Sequence, residues 1–310
     1  MLRFIGKRLL LMIPVLLGIS FILFTIMELT PGDPAQLILG ESATKEEIAE
    51  LREEMGLNDH FLVRYVRYIW NALHGDFGTS YRTQKKVVDE VLPRFPVTFK
   101  LAFFGLSGAV LIGIPVGIIS AVKQYSVMDN ICTITALTLT SIPTFWLGLM
   151  LMLLFSLRLG VLPATGITDW KGYILPAITL ATGTMAMVLR MTRSTMLETI
   201  RQDYIRTAKA KGAPSSRIIF RHALRNALLP VITYVGMVFG IQLGGTVIIE
   251  SVFSVPGMGS LMITSIRMKD SPTLMCSVLL AAFFAGVVNL LVDILYSYID
   301  PRIKSQYIKN

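Results

Sequence analysis

Histidine, cysteine and paired carboxylates are the side chains that most often carry chemistry, and here they are scattered. His60, His74 and His222 lie far apart, and none has a plausible ligand set beside it. Cys132 and Cys276 belong to no C-x-x-C pair, so metal or redox chemistry has no support. No G-x-x-x-x-G-K-[ST] loop, H-E-x-x-H helix or G-x-S-x-G elbow occurs. No catalytic, cofactor-binding or metal-binding residue is expected on this chain. Four ionisable residues approach apolar stretches: Glu28, Lys100, Glu250 and Asp293. All lie nearer the ends than the centres of those stretches. They read as interfacial or snorkelling groups, not as a proton relay.

What does cluster is positive charge. Arg190, Arg193, Arg201, Arg206, Lys209, Lys211, Arg217, Arg221 and Arg225 face only Glu198 and Asp203 in the same segment. The whole chain carries +9. In a soluble protein that surplus would suggest nucleic acid. Here 53% of the 310 residues are hydrophobic and 16% are charged, against about 25% charged in a typical soluble domain. Mean hydropathy is +0.63. These values exclude a disordered chain, a disulfide scaffold and an ordinary soluble enzyme. Charge asymmetry in such a chain reads first as membrane orientation.

The elements that must position any site are therefore membrane spans. A spanning helix needs about 20 mostly apolar residues at about 1.5 Å each. Six stretches qualify: 9–29, 97–122, 131–157 with Pro143 inside it, 174–191, 228–252 and 275–299. The first is too long for a signal-peptide core and no cleavage site follows, so it reads as a retained helix. Arg3, Lys7 and Arg8, the basic 190–230 segment, and Arg302, Lys304 and Lys309 fall on one side of six spans. That side should be the cytoplasm. Cys132 and Cys276 then fall on opposite sides, which argues against a disulfide. The expected fold class is all-α and polytopic, with six transmembrane helices.

Between the first two spans lies a long outer loop, 31–96. Thr44 and Glu47 have capping-box spacing and Gly56 stops the helix that follows. Ile48, Leu51 and Met55 share a face of that helix. Phe61, Leu62, Tyr65, Val66, Ile69 and Trp70 form a second helical pattern. The loop thus reads as folded, either as a packing cap over the outer bundle surface or as a contact for a soluble partner. The domain plan is 1–30 for the N-terminal tail and first span, 31–96 for the outer loop, and 97–310 for the core. The core contains the cytoplasmic segment 190–230.

That segment holds two short helical patterns around Gly212-Ala213-Pro214. Tyr204, Ile205, Ala208 and the stem of Lys211 share a face before the break; Ile218, Ile219, Ala223 and Leu224 share one after it. Gly212 can adopt positive φ and Pro214 suits the first turn of the next helix. The result is an elbow on the inner surface. Composition alone leaves open whether it meets another protein or lies on anionic lipid.

The pattern 206–212 resembles the EAA loop of binding-protein-dependent ABC importer permeases. Arg206-Thr207-Ala208 followed by Gly212 matches its E-A-A-x-x-x-G core, with Arg in place of Glu and Thr in place of the first Ala. Those departures, and the distance from Gly212 to Leu229-Pro230, are similar to the peptide and nickel group. Further fragments extend the resemblance over nearly the whole chain. They include Pro31-Gly32-Asp33-Pro34, Gly75-Asp76-Phe77-Gly78-Thr79-Ser80, Ser141-Ile142-Pro143-Thr144-Phe145-Trp146-Leu147-Gly148, Leu162-Pro163-Ala164-Thr165-Gly166, the run from Glu250 to Gly259, and Asp300-Pro301-Arg302. The early Pro-Gly-Asp-Pro and the large outer loop resemble the first of the two paired permeases.

This resemblance implies a type I ABC importer permease fold and a pore-forming subunit for import of di- or oligopeptides. Nickel chelates or other small solutes are the alternative cargo, and an ATP-independent secondary transporter the alternative class. The implied partners are a second homologous permease, two ABC ATPases carrying ATP and Mg, an extracytoplasmic binding protein and the lipid bilayer, with no nucleic acid. The setting is a bacterial or archaeal cytoplasmic membrane, with both termini inside. Tyr204, Arg206, Thr207, Ala208, Lys209, Lys211, Gly212 and Arg217 would couple to the ATPases. Gln242, Gly240, Gly244, Glu250, Pro256 and Gly257 are pore or gate candidates. Gly236, Gly240, Gly244 and Gly245 also have the spacing of close helix packing. Asp293 and Arg302 are expected to tie the last span to its neighbours.

Overall fold

The structure, a computed structural model, describes residues 2–40 and 42–299. Arg302, Lys304 and Lys309, with the expected tie from Arg302 to the neighbouring spans, lie outside the described residues. Regular structure among the described residues is helical: α1 Leu2–Leu29, α2 Pro34–Leu39, α3 Lys45–Glu54, α4 Phe61–Leu73, α5 Val87–Val91, α6 Phe95–Val122, α7 Val127–Ser141, α8 Thr144–Leu151, α9 Ile174–Ile200, α10 Asp203–Ala210, α11 Ser215–Arg217, α12 Leu224–Leu243, α13 Val247–Val252, α14 Met258–Arg267 and α15 Ser271–Ile299. Wide π turns follow α8 over Met152–Arg158 and precede α12 over Ile218–Ala223.

Among the described residues, five helical stretches are long and apolar enough to cross a membrane: Ile5–Leu29, Val87–Val122, Trp170–Ile200, Ser215–Leu243 and Ser271–Ile294. The sixth is not straight. Val127–Ser141 and Thr144–Arg158 meet at 98°. Pro143 supplies the reason. It has no N–H to give α7, and it drives Ile142 into extended backbone at φ −79°, ψ 124°.

The fifth span also differs from the expected 228–252. It stops at Leu243, and Gly244-Gly245 turns the chain with Gly245 at φ +111°. A side chain at Gly245 would stand 3.0 Å from Gly259 Cα, so the bend depends on two backbones in close approach. Helix α13 then runs as a separate element, with α14 behind it.

Helix α6 is the spine of the core and packs along α9 over most of its length. Glycines make the seam: a Cβ on Gly113 would lie 2.9 Å from Met185 O, and one on Gly117 2.7 Å from Leu189 O. Gly236 and Gly240 of α12 pack likewise on α15, against Val292 and against Ala285 and Asn289. Outside this core, α1 runs beside α15, where Arg8 pairs with Asp293 at 2.9 Å.

The long loop 31–96 is folded onto the adjoining end of the bundle. The Thr44–Glu47 capping box is present, and hydrogen bonds from Thr44 hold the Glu47 carboxyl below its usual range. Asp33 caps α2 and pairs with Arg52 at 2.8 Å. Gly75 and Gly78, both at positive φ, turn the chain so that Ser80 Oγ donates to Asp270 at 2.5 Å and the Tyr81 N–H donates at 3.1 Å. Asp270 is buried and also takes Thr273 Oγ1 at 2.8 Å, so it ties the loop to the start of α15. Burial pushes the Tyr81 hydroxyl up to about 12.

Candidate functional site: an inner elbow and an outer hub

The elbow begins where α9 ends. Asp203 opens α10 with favourable charge at the helix N-terminus, and Lys209 sits in its last turn. The turn that closes α10 is a complete Schellman motif. The Ala213 N–H donates to Ala208 O at 3.2 Å, the Gly212 N–H donates to Lys209 O at 2.9 Å, and Gly212 takes φ +78°. Pro214 caps the following helix rather than sitting within its first turn.

One side chain fixes the elbow to the bundle. Ile205 is fully buried among Ile118, Ala121, Met196, Ile218, Ala223 and Ala227, which belong to the ends of α6 and α9, the π turn 218–223 and the start of α12. Burying such a side chain is worth about 1.5–3 kcal/mol. Tyr204 is less buried than its expected apolar face implied, at 43% exposure; its hydroxyl accepts from Asn226 Nδ2 at 2.8 Å. Ala208 is half-buried. Arg206, Thr207, Lys209, Lys211, Gly212 and Arg217 are all exposed. Arg206 lies 3.6 Å from Asp203, and at 77% and 96% exposure that pair adds little. All eight coupling candidates therefore fall on one compact knuckle, most of it open to a partner.

At the opposite end, Glu250 corrects the expectation of an interfacial carboxylate. It is completely buried. Thr98 Oγ1 of α6 donates to Oε1 at 2.7 Å, Thr246 Oγ1 donates to the same atom at 3.2 Å, and the Ser260 N–H donates to Oε2 at 2.8 Å. Thr98 in turn accepts the Met258 N–H at 2.8 Å. Both oxygens of the buried carboxyl are thus partnered. Gly257 allows the approach: a Cβ there would meet the carboxyl carbon at 2.5 Å. The hub thus pins α13 and α14 onto the outer end of α6.

The other gate candidates divide. Pro256 is exposed beside the hub and Gly244 is exposed at the end of α12. Gly240 packs inward on α15. Gln242 is 8% exposed and its carbonyl oxygen has no hydrogen-bond partner among the described residues. Gly166, from the fragment 162–166, donates its N–H to Phe253 O at 2.8 Å, so the outer loop after α8 closes over α13.

Sequence reasoning missed a buried ion pair. Asp129, 2% exposed, accepts two hydrogen bonds from Arg193, at 2.6 and 2.7 Å, and a third from Ser120 Oγ at 2.5 Å. Arg193 is one of the nine basic residues of 190–225, so it is spent inside the bundle joining α9 to α7. The signal was Ser126-x-x-Asp129 ahead of an apolar run, a helix-start pattern.

Residues 113–305 match the family described as binding-protein-dependent transport system inner membrane component, and residues 1–102 match its N-terminal companion. The chain is 43% identical to the dipeptide transport system permease protein DppB of Alkalihalophilus pseudofirmus, covering 98% of this chain and all of that one. It is 41% identical to the glutathione transport system permease protein GsiC of Salmonella paratyphi A and 39% identical to that of Escherichia coli, each over 98% of this chain and 99% of the relative. In fold it is similar to a chain of the inward-facing MetNI methionine ABC transporter. The TM-score is 0.56 at 18% identity, covering 68% of this chain and 96% of that one.

Proposed function

The chain belongs to the binding-protein-dependent transport permease family, as a multi-pass inner membrane component, and we propose that its cargo is peptide and that its elbow is where ATP hydrolysis on partner chains is felt. It is the pore-forming subunit of an ABC importer. The relatives named above carry names for dipeptide and glutathione transport, both peptides, which supports the cargo. The partners in this reading are a second, homologous permease, two ATPases beneath, and an extracytoplasmic binding protein above. The chain supplies no ATPase site of its own, and both termini face the cytoplasm.

The observation that carries the coupling role is the knuckle 203–217. It is exposed at its tip and anchored by Ile205 at the ends of three spans. Ala208 and Gly212 leave the tip shallow enough to seat in a groove of the ATPase. Arg206, Lys209, Lys211 and Arg217 add charge at its rim. Closure of the two ATPases draws the knuckles together and rotates α6, α9 and α12 as rigid bodies, which opens the pore outward. At the other end Glu250, Pro256 and Gly257 hold the outer closure, with Gln242, Gly240 and Gly244 on the helix below.

The test is ATPase stimulation by loaded binding protein in the reconstituted transporter carrying Gly212→Trp. The expected result is an assembled complex that no longer responds to the binding protein. Unchanged stimulation with normal assembly would sink the coupling role. The ligand that co-purifies with the binding protein tests the cargo, and a metal chelate or a sugar there would refute peptide.

A further inference from the structure

Helix α4 has three sides. Phe61, Tyr65 and Tyr68 face α1, with ring contacts to Phe21 and Phe24 at 5.2 to 6.1 Å. Arg64, Arg67 and Asn71 form a narrow polar stripe; Arg64 pairs with Glu28 at 2.8 Å and Arg67 with Asp59 at 2.5 Å. The third side is apolar and uncovered. Leu62, Val63, Val66, Trp70 and Leu73 are 52 to 76% exposed. At 3.6 residues per turn these five fall within an arc of about 100°.

Two observations say what covers that side. The first is depth. Tyr65 donates its hydroxyl to Leu17 O at 3.0 Å and lies 2.8 Å from Ser20 Oγ. Leu17 is about 18 Å below the outer end of α1, counting twelve residues at 1.5 Å. Helix α1 is itself a peripheral span: only 6% of its most apolar window is buried, and Leu10, Ile13, Leu17 and Phe21 are exposed. Those side chains lie at membrane depth, against hydrocarbon or the second permease proposed above, and the open side of α4 continues the same surface. The second is a groove of about 290 Å³ beneath α4, bounded by Ile13, Leu16 and Leu17 of α1, Ile69 and Leu73 of α4, and Leu280 of α15. Its one hydroxyl, Ser20, already bonds Leu17 O at 2.8 Å, so the groove offers nothing to water.

We propose that α4 is an interfacial helix seated in the outer leaflet, with Leu62, Val63, Val66, Trp70 and Leu73 on lipid acyl chains and its arginine stripe toward water. Its layout is that of a membrane-surface helix: a broad apolar face, a cationic polar face and a tryptophan at the boundary. The outer loop is then partly a membrane element, and it braces α1 and α15 against the bilayer.

The test places the photo-crosslinker p-benzoylphenylalanine singly at Val66, Trp70 and Arg67 of the full-length chain in native membrane vesicles. Leu10 on α1, 66% exposed, serves as the lipid-facing reference. Mass spectrometry after irradiation should find phospholipid adducts at Val66 and Trp70 in yields close to those at Leu10, and about tenfold fewer at Arg67. Protein adducts at Val66 or Trp70 would show a docking face for a protein instead. Absence of lipid adducts there, with Leu10 labelled, would place the face in water. Either result overturns the proposal.

Discussion

Replacing Gly257 by alanine should damage this protein, although the general expectation has the opposite sign. Gly257 has φ −101° and ψ −173°, an extended conformation open to any residue. Glycine to alanine at such a position ordinarily stabilises by about 0.4–1 kcal/mol through the unfolded chain. Here the new Cβ would lie 2.5 Å from the Glu250 carboxyl carbon and from Oε1, and 2.6 Å from Oε2. The carboxylate must retreat by about 1 Å. That stretches the Thr98 and Ser260 bonds, now 2.7 and 2.8 Å, beyond hydrogen-bond range. Leaving each buried partner unsatisfied costs about 1–3 kcal/mol, so the loss is about 2–6 kcal/mol. At 1.4 kcal/mol per decade, even the lower figure shifts the intact population more than tenfold. The assay is thermal inactivation of the detergent-solubilised chain, with Gly183→Ala as control. Gly183 has open space around its Cβ position and sits in α9, so alanine there should be neutral or mildly stabilising. Glu250→Gln should be milder than Gly257→Ala, because the amide oxygen can accept from the Ser260 N–H while the –NH2 donates to the Thr98 and Thr246 hydroxyls. If Gly257→Ala matches Gly183→Ala, the carboxylate is not held in the way described here.

Three further perturbations follow from the same geometry. Arg193→Ala leaves Asp129 buried without its counter-charge and should cost about 3–5 kcal/mol, whereas the double replacement by leucine recovers most of it; a thermal-stability double-mutant cycle reads the coupling, and additive effects would refute the pair. Ile205→Ala opens a cavity at the base of the elbow and should cost about 2–5 kcal/mol, with ATPase stimulation falling before assembly does; stimulation equal to wild type would detach the elbow from the core. Glu47 titrates below its ordinary value of 4.5 in the folded chain, so its stabilisation of α3 is present above that value and fades as pH falls through the depressed one. Amide exchange over Lys45–Glu54 should be faster in Glu47→Gln than in wild type at neutral pH, and the two should converge in acid.

Much of this architecture was legible because membrane spans announce themselves by length and hydropathy, and turns by glycine and proline. Gly212 reads directly as a left-handed cap, and the Thr44–Glu47 spacing reads directly as a capping box. What stayed hidden depends on partners far apart in the chain. Glu250 looks interfacial on its own; its burial is set by Thr98, 152 residues earlier. Arg193 looks like one more cytoplasmic charge until Asp129, 64 residues away, is brought against it. The early end of the fifth span was obscured because 244–252 remains apolar after the glycines, and hydropathy does not register a change of direction. The bend at Pro143 was visible as an interruption, but its 98° was not, since proline in a membrane helix yields anything from a mild kink to a corner.

The inner elbow and the outer hub are linked by one helix. Thr98, in the first turn of α6, holds Glu250 and Met258; Ile118 and Ala121, near its last turn, hold Ile205. The twenty residues between Thr98 and Ile118 span about 30 Å, the thickness of a bilayer core. Over that length α6 is locked to α9 at Gly113 and Gly117, where a Cβ would meet α9 backbone oxygens at 2.9 and 2.7 Å, and it packs closely on Leu180 at Gly105. A seam of that kind resists sliding, because any shift drives backbone into backbone. Bending is not favoured either, although Pro115 lies within α6, since the α9 surface supports it on both sides of that residue. A displacement imposed on Ile205 therefore has few ways to be absorbed between the two ends. It must move α6 and α9 together, and with them the threonine that fixes the outer carboxylate. The coupling proposed above then needs no chain of small adjustments through the membrane, only a stiff helix pair gripped at both ends.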